Sequence, residues 1–352
     1  MMENPDWKKR VFYSFGFLLF LYLFLLSLQI IKYSFSEIGP EFITFTLNNI
    51  NELNALGIGW LLTLIMQSSA AATSALAAMN YAGIIGPIVL IFMVIGTRIG
   101  TTITALFTSL LVSAKRRDFR HGFEIGLANI VYAVPIAIIM FFIEYFFSFF
   151  SKTGNYFITL GVPFRLAFIS NITIPIIQLI EILLPVYLLV IFGIILLIFS
   201  LKNITRFMIN FLGEENLRKK INKYMKKKHL SFFVGFFIAL ILTSTSITIT
   251  LLIPLVVSRI INLKKVIPYI IGTNLGALAD VILGGLIVGK TALPAVFAYI
   301  SFSVIGLLWL FNTDLLFKIT KFISKKTFKI SRKRAIFFVL LFVLIAIILS
   351  FI

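Results

Sequence analysis

Residues 11–32 read VFYSFGFLLFLYLFLLSLQIIK, and apolar runs of similar length recur at 86–113, 122–148, 176–201, 231–257, 265–289, 293–313 and 335–352. About 20 apolar residues in helical conformation cross the ~30 Å hydrocarbon layer of a bilayer. These runs lack the strict alternation of a membrane barrel strand. They specify an all-α polytopic membrane protein. Composition agrees, with 60% hydrophobic and 13% charged residues, where a soluble domain carries about a quarter charged. A soluble globular enzyme and a disordered or fibrous chain are thereby excluded.

The formal charge is +19, which in a soluble chain would suggest nucleic acid. Its distribution points elsewhere. Of 32 Lys and Arg residues, 27 fall at the N-terminus (Lys8, Lys9, Arg10) and in 114–121, 202–229, 258–265 and 318–334. Basic residues stay on the cytoplasmic side of a membrane, so all five segments, including the N-terminus, are expected there. Anionic lipid headgroups are then partners, and nucleic acid is not. The chain has no Cys, and His121 and His229 both lie in basic segments, which leaves no thiolate or His-based metal or catalytic site. Run 11–32 has no small-residue cleavage signal and is expected to be a retained helix rather than a signal peptide.

With those segments inside, 11–32, 86–113, 122–148 and 176–201 cross in alternation. Stretch 231–257 has cytoplasmic sequence on both flanks, and 55–81 must start and end outside. One pass satisfies neither. Each is expected to be a re-entrant hairpin of two arms, each about 18 Å long at helical rise, with its polar midpoint at the tip. The tips are Gln67-Ser68-Ser69 and Thr243-Ser244-Thr245-Ser246.

The same two places expose an internal repeat. Gln67 precedes the motif Gly96-Thr97-Arg98-Ile99-Gly100 by the interval that separates Thr243 from Gly272-Thr273-Asn274-Leu275-Gly276. Each copy reads helix, hairpin, helix, helix. Three crossings per copy is an odd number, so the copies are expected to be inverted, the plan of many secondary transporters. Residues 1–150 form the first repeat (helix 11–32, hairpin 55–81, helices 86–113 and 122–148). Residues 151–314 form the second (helix 176–201, hairpin 231–257, helices 265–289 and 293–313). A basic loop and a C-terminal helix are expected over 315–352. Stretches 33–54 and 202–230 are expected as amphipathic interfacial helices, and the sequence leaves 150–175 undecided.

Irregular backbone survives in hydrocarbon only where it lines a cavity, and hairpin tips rich in Ser and Thr offer an oxyanion neutral donors. Close helix packing would use the same small residues; the duplication favours a site. The paired glycines weaken their helices by about 1 kcal/mol each relative to Ala, predicting broken transmembrane helices or close helix contacts. Glu124 and Glu144 fall near helix ends, and Glu181 is shallow. Arg98 and Asp280 lie deep in apolar sequence, where a charge implies function or a mutual ion pair that locks the fold.

Gln67-Ser68-Ser69-Ala70-Ala71-Ala72-Thr73 followed by Gly96-Thr97-Arg98-Ile99-Gly100-Thr101-Thr102 resembles the paired motifs of the type II sodium-dependent phosphate cotransporters and their bacterial and archaeal relatives. The resemblance implies that the hairpin Ser and Thr residues bind phosphate beside sodium, the coupling ion, with no other cofactor. Carried over by position, the anion site is Gln67, Ser68, Ser69 and Thr73 with Thr243, Ser244, Thr245, Ser246 and Thr248. Arg98 adds fixed positive charge. Thr97, Thr101, Thr273, Asn274 and Asp280 would serve the cation. The chain departs from the family pattern at Thr243 (Gln), Arg98 (Asn) and Ala277-Leu278 (Thr-Thr). The function so implied is sodium-driven phosphate uptake across the cell membrane. Another oxyanion or a small organic anion, a non-transporting scaffold and an intramembrane enzyme are the alternatives. No G-x-S-x-G, H-E-x-x-H or Walker A pattern supports the enzyme. Assembly as a homodimer is left open.

Overall fold

The structure, a computed structural model, describes residues 7–46, 50–112, 116–162, 167–225, 227–257, 260–328 and 332–352. Among the described residues every regular element is a helix. In chain order they are α1 (Trp7–Thr46), α2 (Glu52–Met66), α3 (Ser69–Tyr81), α4 (Pro87–Gly100), α5 (Ile103–Val112), α6 (Arg116–Phe147), α7 (Phe149–Thr159), α8 (Ala167–Leu183) and α9 (Val186–Leu212). There follow α10 (Glu214–Tyr224), α11 (Lys228–Leu242), α12 (Thr245–Thr250), α13 (Ile253–Val257), α14 (Leu263–Gly276), α15 (Leu278–Val288), α16 (Leu293–Gly306), α17 (Thr313–Phe328) and α18 (Arg332–Phe351).

Among the described residues six segments are long and apolar enough to span a bilayer: Val11–Glu37, Pro87–Phe107, Arg120–Phe147, Val186–Leu212, Leu263–Val288 and Lys290–Leu310. Outward-facing Phe146 (67% exposed), Ile182 (79%) and Phe311 (88%) make sense only against lipid. The chain is a polytopic membrane protein. Spans Pro87–Phe107 and Leu263–Val288 are each two helices, interrupted at Thr101-Thr102 and at Ala277. The long helices α1 and α9 pack along one another, α2 against α4, and α11 against α14.

Several local expectations change. Helix α1 runs through the stretch expected to be a separate interfacial helix and ends at Thr46. Ser34, Ser36 and Glu37 make that stretch polar, but such residues only lower helix propensity and do not stop a helix. The expected helix 176–201 is instead the end of α8 and the start of α9, split at Pro185 (φ −62°, ψ 151°). Proline supplies no N–H and pushes its predecessor out of the helical region. Helix α9 then continues to Leu212 and stops at Gly213, whose φ is +76°. Of the undecided 150–175, α7 and the first part of α8 are helical, while 163–166 lie outside the described residues. The basic 318–334 segment contains most of α17, not a loop.

Stretches 55–81 and 231–257 are both helix–turn–helix units, α2–α3 and α11 to α13. Their geometry recurs residue by residue. Gln67 ends α2 with φ 55°, and Thr243 ends α11 with φ 47°, both left-handed. Ser68 then caps α3 by accepting from the Ala71 N–H, and Ser244 caps α12 by accepting from the Ile247 N–H. The contacts with the glycine motifs recur as well. A Cβ on Gly96 would sit 2.0 Å from the Leu56 carbonyl oxygen, and one on Gly272 2.0 Å from that of Phe232. Gly59 meets Met93 as Gly235 meets Tyr269, and Gly100 meets Trp60 as Gly276 meets Phe236. Every one of these pairs differs by the same 176 positions that separate Arg98 from Asn274. The glycines thus serve backbone-to-backbone helix contact of the small-residue kind, while the helix breaks fall just after them.

Candidate functional site

The two turns meet. Gln67, Ser68, Thr243, Ser244 and Ser246 line one cavity of about 80 Å³, together with Met66, Thr104, Ile247 and Ile198, Leu201 and Lys202 of α9. A water needs roughly 10–15 Å³ by this measure, so there is room for several waters or one small ion. The left-handed residue before each Ser turns the chain sharply, so the polar tip points past the end of its helix. Each Ser oxygen accepts the cap bond, which leaves each hydroxyl hydrogen free to donate. Ser246 shares a 3.1 Å hydrogen bond with Thr101 across the two halves of the chain. Among the described residues Lys202 is the one charged residue on this cavity wall.

Behind the first turn lies a second, drier cluster. Arg98 is 1% exposed, and its guanidinium donates to Asn274 Oδ1 at 2.8 Å and to Ser69 Oγ at 3.5 Å. It stacks over the Tyr299 and Phe302 rings at 4.1 and 4.7 Å. Ser69 Oγ also bonds Tyr299 Oη at 2.8 Å. Ser303 donates to the Asn274 carbonyl at 2.9 Å, and Asn274 Nδ2 donates to the Ile270 carbonyl at 2.9 Å. Among the described residues Arg98 and Asp280 form no ion pair, which removes the alternative of a mutual salt bridge that locks the fold. Asp280 instead accepts the Val281 N–H at 2.7 Å, in the first turn of α15.

The remaining sequence candidates separate into those near a cavity and those saturated by their own helices. Thr73 and Thr97 bond each other at 3.2 Å, and Thr97 also donates to the Val94 carbonyl. Thr248 donates to the Ser244 carbonyl and Thr273 to the Ile270 carbonyl, so both hydroxyl hydrogens are committed locally. Thr245 is buried at the start of α12. At the same 176-position offset Thr73 falls opposite Ile249 and Thr248 opposite Ala72, so neither hydroxyl recurs. Asn274 Oδ1, expected to face a cation, faces Arg98.

Sequence reasoning missed Lys202, Tyr299 and Phe302. Lys202 was counted with a cytoplasmic segment because basic residues follow it; it belongs to α9 and flanks both turns. Tyr299 and Phe302 sit in an apolar run with no local signal, and only the packing of α16 brings them to Arg98.

A third cluster, away from the turns, joins α6 to α17. The Glu124 side chain is fully buried and accepts from Lys321 Nζ at 2.5 Å, Ser324 Oγ at 2.9 Å and Arg120 Nε at 3.3 Å, with His121 Nδ1 at 3.7 Å. Among the described residues no group of three or more His, Asp and Glu side chains could hold a metal ion.

Comparison with curated proteins and with solved structures gives no match. Comparison with protein families matches residues 23–171 and 196–347, most of the chain, to Na+/Pi-cotransporter. The two matched stretches end at 171 and 347, the same spacing that relates the two turns. The helical membrane architecture, the paired polar turns and this match lead to one conclusion: the chain belongs to the Na+/Pi-cotransporter family.

Proposed function

We propose that this protein is a secondary active transporter of the cell membrane that couples sodium entry to uptake of inorganic phosphate. The anion would bind between the turns at Gln67–Ser68 and Thr243–Ser246. One observation carries this reading: two Ser caps from distant parts of the sequence line one cavity, with a lysine beside them. Each Ser offers a free hydroxyl donor, and Lys202 offers charge. Neutral donors next to one cation bind an oxyanion firmly enough to select it and loosely enough to release it. Arg98 acts from behind the turn, through Ser69 and through its field, and does not line the cavity.

In this reading α2–α3 and α11 to α13 are re-entrant hairpins, and the two halves are inverted repeats. The N-terminus and basic segments face the cytoplasm, consistent with the positive-inside rule. The short helix arms, the matching turns and the common spacing support that arrangement. Thr97, Thr101, Thr273 and Asp280 remain the proposed cation ligands, with the backbone opened at Thr101-Thr102 and Ala277 as added carbonyl supply. Alternating access would expose the cavity to each side in turn.

Radiolabelled phosphate uptake into proteoliposomes tests the function directly. Uptake is expected with an inward sodium gradient and lost when choline replaces sodium. Uptake driven by a proton gradient alone would replace sodium as the coupling ion, and failure of sulfate and arsenate to compete would narrow the anion to phosphate. Absence of uptake under every gradient would overturn the proposal.

A further inference from the structure

Arg98 brings a donor-only guanidinium into the buried interior of a membrane protein. Such a charge normally finds a carboxylate. Here the guanidinium finds neutral oxygens and ring faces: Asn274 Oδ1, Ser69 Oγ, and the π-clouds of Tyr299 and Phe302. Its Nε has no partner. Oxygen acceptors and aromatic faces together are what a small cation selects. Asn274 is the repeat counterpart of Arg98, so the two copies of one motif meet face to face. One copy brings the acceptor, and the other brings a positive charge.

We infer that the Arg98 guanidinium is a tethered cation, seated where the Asn274 oxygen, the Ser69 oxygen and the two rings would otherwise hold a free one. It is never transported. It fixes one positive charge behind the Gln67–Ser68 turn, holds α4 to α14 through Asn274, and orients Ser69 through the bond that Tyr299 shares. The consequence for coupling rests on the proposed function: one driving cation fewer is needed per anion. Replacing Arg98 with Asn removes the charge and adds a second amide oxygen opposite Asn274, which creates a vacant seat for sodium.

The experiment compares wild type, Arg98→Asn and Arg98→Lys in two measurements. The first is thermal unfolding of the purified protein in sodium chloride against choline chloride, which needs no transport. Arg98→Asn is expected to show a sodium-dependent rise in melting midpoint larger than that of wild type, while Arg98→Lys, which keeps the charge, follows wild type in its sodium response. The second is the sodium dependence of phosphate uptake, where the Hill coefficient of Arg98→Asn should exceed that of wild type by about one. If wild type takes up no phosphate, the transport reading fails, and the melting comparison still decides the cation seat. A folded Arg98→Asn with the sodium response of wild type overturns the inference. So does an Arg98→Asn protein lost equally in sodium and choline, since a vacant cation seat predicts recovery in sodium.

Discussion

Gly272→Ala is the sharpest test of how the second helix–turn–helix is held in place. The added Cβ would lie 2.0 Å from the Phe232 carbonyl oxygen, 2.9 Å from its carbon and 3.0 Å from the Phe236 nitrogen. All three are backbone atoms of α11, so no side chain can rotate away. A carbon–oxygen contact relaxes near about 3.3 Å, so α11 and α14 must separate by roughly 1.3 Å. Overpacking of this kind costs about 1–3 kcal/mol, and the gain in helix propensity from Gly to Ala returns at most about 1 kcal/mol. The net loss should reach as much as about 2 kcal/mol. The neighbouring contacts at Gly235 and Gly276 share the same interface and would loosen with it. Gly96→Ala should behave alike, because its Cβ would meet the Leu56 carbonyl oxygen at 2.0 Å and the Trp60 nitrogen at 2.8 Å. Gly86→Ala is the control, since nothing lies within 4 Å of its Cβ position and its φ of −77° suits any residue. The assay is thermal unfolding in detergent, followed by intrinsic fluorescence or by loss of the monodisperse species. If Gly272→Ala and Gly96→Ala melt with the Gly86→Ala control, the close backbone approach is not what fixes these helices, and the reasoning fails.

Other outcomes follow from the same structure. Ser68→Ala and Ser244→Ala each remove a cap bond and a free donor; stability should fall by about 0.5–2 kcal/mol, and phosphate affinity by about tenfold or more, the cost of a hydrogen bond to a charged ligand. Unchanged phosphate binding in both folded variants would remove the turns from the site. Lys202→Met should weaken phosphate binding with no loss of melting temperature, and Lys202→Arg should restore it; a variant that binds as wild type does would exclude Lys202. Glu124→Gln breaks a buried charge cluster, a change that costs about 3–5 kcal/mol when fully desolvated and less here because Lys321 is partly exposed. Trypsin should then cut α17 at Lys318 and Lys321 faster than in wild type, and an unchanged cleavage rate would show that Glu124 does not pin that helix. Single cysteines at Asn51 and Tyr81 should label from outside, and at His229 and Ile260 from the cytoplasm; opposite-side labelling within either pair would rule out a hairpin. The Lys264 ammonium, 2.8 Å from Asp314, holds that carboxyl below its ordinary value. The contribution of this pair is therefore present above the usual carboxylate range and lost as pH falls below it. Solvent exposure of both side chains and salt screening keep it small, so melting of Asp314→Asn should differ little from wild type at neutral pH and high salt.

Much of this molecule is legible without coordinates because hydrophobic length is a local property. A run of about 20 apolar residues belongs in a membrane wherever it ends up, and a basic flank biases its side. The paired tips were legible for a related reason: a polar cluster in the middle of an apolar stretch is a short-range signal, and its recurrence at Gln67–Ser68 and Thr243–Ser244 stands out in sequence, whereas the left-handed residue and Ser cap at each are seen only in the structure. Helix boundaries were less legible. Polar residues at 33–37 suggested an end that propensity alone does not impose, while Pro185 imposed one inside an apolar run. Tertiary packing decided what sequence spacing could not. Arg98 could equally have met Asp280, and its partner is decided by how α4 is seated on α2 and α14 on α11, each through close backbone contact at its glycines. That packing places Asn274 on the guanidinium and leaves Asp280 to the Val281 N–H. Lys202 reaches the cavity for the same kind of reason, because α9 passes beside both turns. A charge in a sequence has a depth but no direction, and only the packed helices supply the direction.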